Sequence, residues 1–338
     1  MLESDSTQLP STGTSAAPIG AATSAAGVPR VSIGMPVYNG ERYLTEAIAA
    51  VLGQTFVDFE LIICDNGSTD RTADIVADFA RRDPRVSYHR NPTNIGAAKN
   101  FNRCVELARG EYFRWAAHDD LIAPTLIEKC VTVLDSAPAH VVTVYPRRQF
   151  IHHDGSHSRD AGVDNSDVEP LATYHKISFR QIIRLPGWTI PMLEFGLHRL
   201  AALRKTRLQG TYRASDIVLM CELSLLGELW EIPETLFFQR LHDDSPEWEQ
   251  RGDLQGEAIW LDPSNTQAVG DPGRRLFREQ LQAVRRSKVG CVTKAARYLD
   301  LATYAGSKLL RRLRMLPPLR PAQRAVPRVS PTIRSFHA

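Results

Sequence analysis

Four buried-strand patterns, each followed by a helical pattern, occupy the stretch from Val31 to about Leu134, and this alternation constrains the chain more than any other feature. Val31-Ser-Ile-Gly-Met-Pro-Val37 and Phe59-Glu-Leu-Ile-Ile-Cys64 are short apolar runs suited to strands covered on both faces. Leu44, Ala47, Ile48, Val51 and Leu52 follow the first at helical spacing, with Gly53 where a helix would end. Ile75, Val76 and Phe79 mark a second helix starting near Thr69-Asp70. Val86–His89 leads to a third, carrying Phe101, Cys104, Val105 and Ala108 and stopped by Gly110. The fourth strand, Tyr112–Ala116, runs into His118-Asp119-Asp120, and Pro124 opens a helix with Ile127, Cys130, Val131 and Leu134. Repeated strand–helix units predict an α/β fold with a mostly parallel sheet flanked by helices. Such sheets bind ligands beyond the carboxyl ends of their strands, so the residues just after each strand are the ones to read.

Outside that block the pattern is weaker. Residues 1–29 are rich in Ser, Thr, Ala, Gly and Pro and read as a disordered leader. Residues from about Pro146 to Pro170 are polar and His-rich and read as a loop. An ordered block extends to about Ser245, and Glu247 to Pro272 reads as another loop before a helical tail. The expected division is a leader (1–29), a donor-binding half (30–145), an acceptor-binding half (146–245) and a C-terminal loop and basic helical extension (246–338).

A net charge of +3 over 338 residues favours no nucleic-acid partner. The five cysteines include no C-x-x-C pair, and four sit in apolar patterns, which suits a reducing compartment. No apolar run approaches the ~20 residues that span a bilayer, and the N-terminus lacks the basic-then-apolar order of a secretory signal. A cytoplasmic location follows as the expectation.

The strand ends supply Pro36-Val-Tyr-Asn-Gly40, Asp65-Asn-Gly-Ser-Thr-Asp70, Asn94-Ile-Gly-Ala-Ala-Lys-Asn100 and Trp115-Ala-Ala-His-Asp-Asp120. Two adjacent carboxylates at a strand end repel unless a cation compensates them, and Mg²⁺ or Mn²⁺ could do so while bridging to substrate phosphates. Adjacent Asp residues also serve in loops as caps or solubilising groups, so the pair alone leaves both readings open.

The combination of motifs decides between them. "VSIGMPVYNGERYL", "ELIICDNGSTDRT", "NIGAAKNFN" and "GEYFRWAAHDD", in this order, resemble the amino-terminal half of family 2 glycosyltransferases of the GT-A fold. The likeness continues less tightly through "FGLHRLAAL", "SDIVLMCELSLLG" and "IPETLFFQRLHDDS". The resemblance implies an enzyme that moves a hexosyl group from a nucleotide diphosphate sugar to an acceptor hydroxyl with inversion. A role in cell-surface glycan or glycolipid synthesis, with a carbohydrate or lipid-linked acceptor, goes with it. It implies that Pro36 and Tyr38 line the base pocket, that Asp65 accepts a hydrogen bond from the base, and that Lys99, where the family often has Arg, contacts the nucleotide or phosphates. Asp119 would face the ribose or metal shell and Asp120 would ligate the metal. His118 replaces the first residue of the family's Asp-x-Asp pattern. Arg240-Leu-His242, followed by Ser245, resembles a late motif that closes over the diphosphate, with Arg240 gripping phosphate and His242 donating to it or ligating the metal.

Asp216, in Ala-Ser-Asp-Ile-Val-Leu, matches the family's catalytic base. The same residue could instead cap the helix bearing Leu219, Leu223 and Leu226. His152, His153 and His157 read as solvated. Trp188 either stacks on an acceptor sugar or packs. Leu309, Leu313 and Leu316, interleaved with Lys308, Arg311, Arg312 and Arg314, form either a packed helix or a basic amphipathic segment touching the inner face of a membrane. Two other enzyme classes fit poorly. A nucleotidyltransferase needs a glycine-rich phosphate loop after the first strand, and a nicotinamide dehydrogenase needs G-x-G-x-x-G there. A catalytically inactive nucleotide-sugar-binding protein remains as the non-enzymatic alternative.

Overall fold

The computed structural model describes residues 27–157, 175–185, 193–242, 253–266 and 270–312. Strands β1 (Val31–Val37) and β2 (Phe59–Asp65) are buried at all seven positions, as continuous apolar runs require when helices cover both faces. Helix α1 (Leu44–Leu52) turns Leu44, Ala47, Ile48 and Val51 inward and ends at Gly53, as the sequence predicts. Helix α2 (Thr72–Arg82) starts slightly later than Thr69-Asp70, because the Asp70 carboxylate accepts from the Thr72 and Glu41 N–H groups and holds the turn before it. Strand β3 (Val86–Arg90), helix α3 (Ala97–Leu107), strand β4 (Tyr112–Trp115), the short strand β5 (Leu121–Ile122) and helix α4 (Leu126–Ser136) complete the repeating block.

The start of the stretch expected to be a loop, from about Pro146, is strand instead. Strand β6 spans Val141–Ile151, so the chain stays in the sheet past Pro146, across the 145/146 boundary. Arg147 and Arg148 are buried there because β9 (Glu228–Arg240) supplies their partners. Arg147 Nε donates to Glu231 at 2.8 Å and Arg148 Nη1 to Gln239 at 2.5 Å. Register shifts at Pro146/Arg147 and Arg147/Arg148 accommodate the proline, which cannot donate to the ladder. Strand β7 (His175–Ile177), helix α5 (Phe179–Ile182), strand β8 (Leu197–Arg199), helix α6 (Leu200–Leu203) and helix α7 (Ser215–Leu226) follow the chain to β9.

The sheet runs β3-β2-β1-β4-β8-β6-β9-β5, with β7 beside the other end of β9. β1 to β4 pair in parallel, as do β6 and β9, while β8 runs antiparallel between the two groups. The fold is thus mixed but mostly parallel. Helices α8 (Leu254–Leu261), α9 (Pro272–Arg286) and α10 (Cys291–Arg312) form the C-terminal extension. Helix α8 lies inside the stretch expected to be a loop, and Asp253 caps it by accepting from Gly256 N–H at 2.8 Å. Cys64, Cys104, Cys130 and Cys221 are buried and Cys291 is exposed, which matches the sequence pattern. Among the described residues no helix is long and apolar enough to cross a membrane.

Candidate active site

The ends of β1 and β2 sit side by side, with Val37 opposite Asp65. Pro36 is buried and Tyr38 is 42% exposed at the rim. The chain then turns through Asn39 at φ 50°, a left-handed conformation that Asn tolerates better than most residues. Asn39 N–H donates to Ser68 Oγ, Asn39 Oδ1 accepts from Thr69 N–H, and Gly40 N–H donates to Thr72 Oγ1, each at 2.9 Å. Gly40 is needed for room: a Cβ there would stand 2.6 Å from Val37 Cγ2 and 2.7 Å from the His118 ring. His118 therefore packs on the β1 turn.

Asp65 is fully buried, and its oxygens are already engaged. Oδ1 accepts from Ser68 N–H at 2.8 Å, Oδ2 accepts from the Tyr88 hydroxyl at 2.6 Å, and Arg90 Nε lies 3.4 Å from Oδ2. An amide network fixes the neighbouring loop. Asn66 Oδ1 accepts from Asn91 and from Ile95 N–H, and Asn100 Nδ2 donates to Cys64 O at 2.7 Å.

Lys99 departs from its expected contact. Its Nζ lies 2.9 Å from Asp262, just beyond α8, and so points at protein. The approach is close because Gly96, at φ 89°, has no side chain: a Cβ there would meet Leu261 O at 2.4 Å.

Past β4, four of the sequence-nominated residues converge. His242 Nε2 lies 3.0 Å from Asp119 Oδ2, and Asp120 Oδ1 accepts from Arg240 N–H at 2.8 Å. Pairing of β5 with the far end of β9 (Leu121 with Phe238) brings these segments together across more than a hundred residues of sequence. The Arg240 guanidinium is wholly buried. It donates to Asp119 O at 2.8 Å and His153 O at 2.7 Å, pairs with Glu46 at 2.8 Å, and lies over the Tyr43 ring. It is therefore a hub that fixes both aspartates, and the phosphate grip expected of it is replaced by bonds within the protein.

Burial pushes the Asp119 carboxyl up, but His118 and His242 outweigh it and hold the group below the usual carboxylate range. For Asp120, burial and then the Asp119 charge push the carboxyl well up, with Arg240 N–H, Arg148 and Arg114 only partly offsetting them. Arg114 is fully buried beneath, over the Phe237 ring, and none of its guanidinium nitrogens finds a hydrogen-bond partner. Burial lowers its pKa to about 10.

The donor set suits a divalent cation. Two adjacent carboxylates, one driven toward protonation by the other, are the arrangement a dication relieves, and the buried His242 Nδ1 has no hydrogen-bond partner. Among the described residues no three His, Cys, Asp or Glu side chains could hold a metal unaided. A Mg²⁺ or Mn²⁺ at such a site would be held by one or two carboxylates, with the rest of its shell from phosphate and water.

Asp216 lies in the first turn of α7, while the cap is Ala214, so the capping reading of Asp216 does not hold. Its Oδ1 accepts from Ile217 N–H at 2.9 Å. Ala214 sits at φ 62°, a left-handed conformation that costs an alanine about 1 kcal/mol. Sequence reasoning missed its neighbour Glu194. That carboxyl is 7% exposed and accepts from Gln209 Nε2, whose own Oε1 accepts from Ser215 at 2.7 Å. Burial, and then the Asp216 charge, raise Glu194 to about 8. No local signal marks Glu194 or Glu46, because each acquires its partner only through folding. His152, His153 and His157 form no metal cluster; the carbonyls of the first two serve Arg240. Trp188, Ser245, Leu313, Arg314 and Leu316 lie outside the described residues.

Comparison with known proteins bears directly on this cleft. Residues 32–197 match the model of glycosyl transferase family 2. Those residues belong to glycosyl transferase family 2. Relatives of this family 2 segment include an uncharacterised glycosyltransferase of Haemophilus influenzae, 36% identical over 129 residues, 38% of this chain and 51% of that protein. The hyaluronan synthase of Pasteurella multocida is 34% identical over 129 residues, 38% of this chain and 13% of the synthase. The chain thus spans about half or less of the relatives it matches. The Staphylococcus aureus TarS fragment 1–349, solved with UDP-GlcNAc, aligns with a TM-score of 0.58 and 17% identity over 82% of this chain and 71% of that one. The mannosyltransferase PcManGT of Pyrobaculum calidifontis, solved with GDP-Man and Mn²⁺, aligns at 0.51 and 17% identity over 87% and 82%. At these identities the two structures establish the shared GT-A fold.

Proposed function

We propose that the chain is an inverting glycosyltransferase that moves a hexosyl group from a nucleoside diphosphate sugar to an acceptor hydroxyl. The observation that carries the proposal is the convergence of Asp119, Asp120, Arg240 and His242 at the end of β4, beside the β1 and β2 turns. The nucleotide sugars bound by TarS and PcManGT support the donor class. The hyaluronan and chondroitin synthases among the relatives support a role in building surface polysaccharide. The buried free thiols support a reducing compartment, and residues 30–145 and 146–245 supply the donor and acceptor sides.

Pro36 and Tyr38 line the base pocket in this reading, and Asp65 orders the β2 turn while offering its remaining acceptor capacity to the base. Asp119 faces the ribose side. Asp120 and His242 would hold Mg²⁺ or Mn²⁺, which when bound supplies Lewis-acid stabilisation of the departing diphosphate. Arg240 keeps both aspartates in place. Asp216 accepts the acceptor proton as the acceptor oxygen bonds to the anomeric carbon, and the bond from that carbon to phosphate breaks with its electrons leaving on the diphosphate. Attack opposite the leaving group inverts the sugar.

Nucleotide release and donor-induced thermal stabilisation, measured together, test this assignment. Asp216→Asn should retain stabilisation by the donor but lose at least about a hundredfold in release with acceptor present. Asp120→Ala should lose both. Undiminished transfer in either variant removes that residue from its role, and donor binding without turnover in the unaltered protein would leave a binding protein instead.

A further inference from the structure

Helix α10 is oriented in the opposite sense to an ordinary surface helix. Over 22 residues it would normally turn its apolar stripe inward and its charges to water. Here Leu301 is the residue buried against the domain, and the charged side chains gather on that same side. Arg297 pairs with Asp300 at 3.0 Å and lies over the Phe179 ring, Lys294 Nζ donates to Arg285 O, and Lys308 lies over the Tyr304 ring. The opposite side presents Val292, Ala295, Leu299, Ala302, Leu309 and Leu310, all exposed; Val292 reaches 81%, Leu299 68% and Leu309 57%. At 100° per residue these positions fall in one arc about 100° wide, and no charged residue falls within it. The arc runs ~30 Å along the helix.

The flanks identify what would cover such a face. From Arg285 to the last residue there are thirteen Lys and Arg and one acidic residue, Asp300, although the whole chain carries only +3. An acidic surface with an apolar interior matches both features, and an anionic bilayer has both. We propose that α10 docks the protein on an anionic lipid membrane, with Val292, Leu299, Leu309 and Leu310 entering the headgroup–acyl boundary and the basic residues that precede and follow the helix in sequence drawn to the acidic headgroups. The surface shares Leu309 with the Leu309–Leu313–Leu316 stripe that the sequence suggests and extends it back along the helix to Val292, and it requires nothing of the transfer chemistry.

Cys291 is the one exposed cysteine of the five and opens this helix, so it accepts an environment-sensitive fluorophore. The labelled protein should float with vesicles containing about 30% phosphatidylglycerol and shift its emission to the blue, and do neither with pure phosphatidylcholine. Val292→Glu/Leu299→Glu/Leu309→Glu changes only exposed side chains, so its melting temperature should match the parent. It should weaken vesicle binding at least about tenfold while leaving nucleotide release with a soluble acceptor unchanged. Three results overturn the proposal: no flotation with either vesicle, flotation that the triple variant does not weaken, or a dimer in solution that the triple variant dissolves without vesicle binding by the parent.

Discussion

Replacing Glu194 with Gln should make the protein more stable at high pH and leave it unchanged at low pH. The carboxyl is 7% exposed, and its pKa rises from 4.5 to about 8 because burial and the Asp216 charge disfavour ionisation. A carboxyl with a raised native pKa keeps its full stability contribution below its unfolded pKa. It loses that contribution progressively as pH rises toward the native value, because the unfolded state releases the proton first. Between about pH 4.5 and 8 the loss runs at about 1.4 kcal/mol per unit, up to about 5 kcal/mol in all, and is level above that. Glutamine keeps the carbonyl oxygen that accepts from Gln209 and has no proton to release. Urea unfolding of both proteins at pH 4, 6 and 9 should therefore give near-equal stabilities at the lowest pH and a gap of several kcal/mol at the highest. In Asp216→Asn the gap should shrink, since one of the two causes is gone. A gap that stays constant with pH, or one that favours Glu194 as pH rises, would refute the reasoning.

Other consequences are simpler to check. Gly40→Ala forces a methyl against Val37 and His118 and should cost about 1–3 kcal/mol in urea unfolding; an unchanged midpoint would mean the β1 turn is not tightly packed there. Asp262→Ala releases Lys99 and should lower the donor KM a few-fold, whereas Lys99→Ala should raise it; shifts in the same direction would show that Lys99 never reaches the phosphates. A chromogenic thiol reagent should titrate one cysteine in the native protein and five in denaturant, and a native count above one would contradict the burial of Cys64, Cys104, Cys130 and Cys221.

The repeating block is legible in the sequence because its strands are buried on both faces and leave unbroken apolar runs, as in Phe59–Cys64. The Asp119-Asp120 and Arg240-Leu-His242 motifs are legible through the resemblance to family 2 glycosyltransferases, since the aspartate pair alone leaves a capping reading open. Reading fails where polar residues are made acceptable by distant partners. Arg147 and Arg148 look like loop residues until Glu231 and Gln239 arrive from a strand, 84 and 91 residues on respectively. The residues of α8 pack little against the core, with Leu254, Ile259 and Trp260 each more than a third exposed, so no inward stripe announces the helix. The resemblance directs Lys99 and Arg240 to a ligand, and no local pattern announces the protein partners they have in the structure: Asp262, Glu46 and two backbone carbonyls.

Strand β9 also limits how this scaffold can be re-engineered. Its first residues pair with β7 and its last with β5, while β6 lies along nearly its whole length. A chimera that grafts a foreign acceptor region onto residues 30–145 would sever β6 in mid-strand and import a β9 whose far end must still fit Leu121, Asp119 and Glu46 of the host. Changes of acceptor preference are therefore better sought in segments that leave β6 and β9 intact, with both strands inherited from the same parent as the aspartate pair.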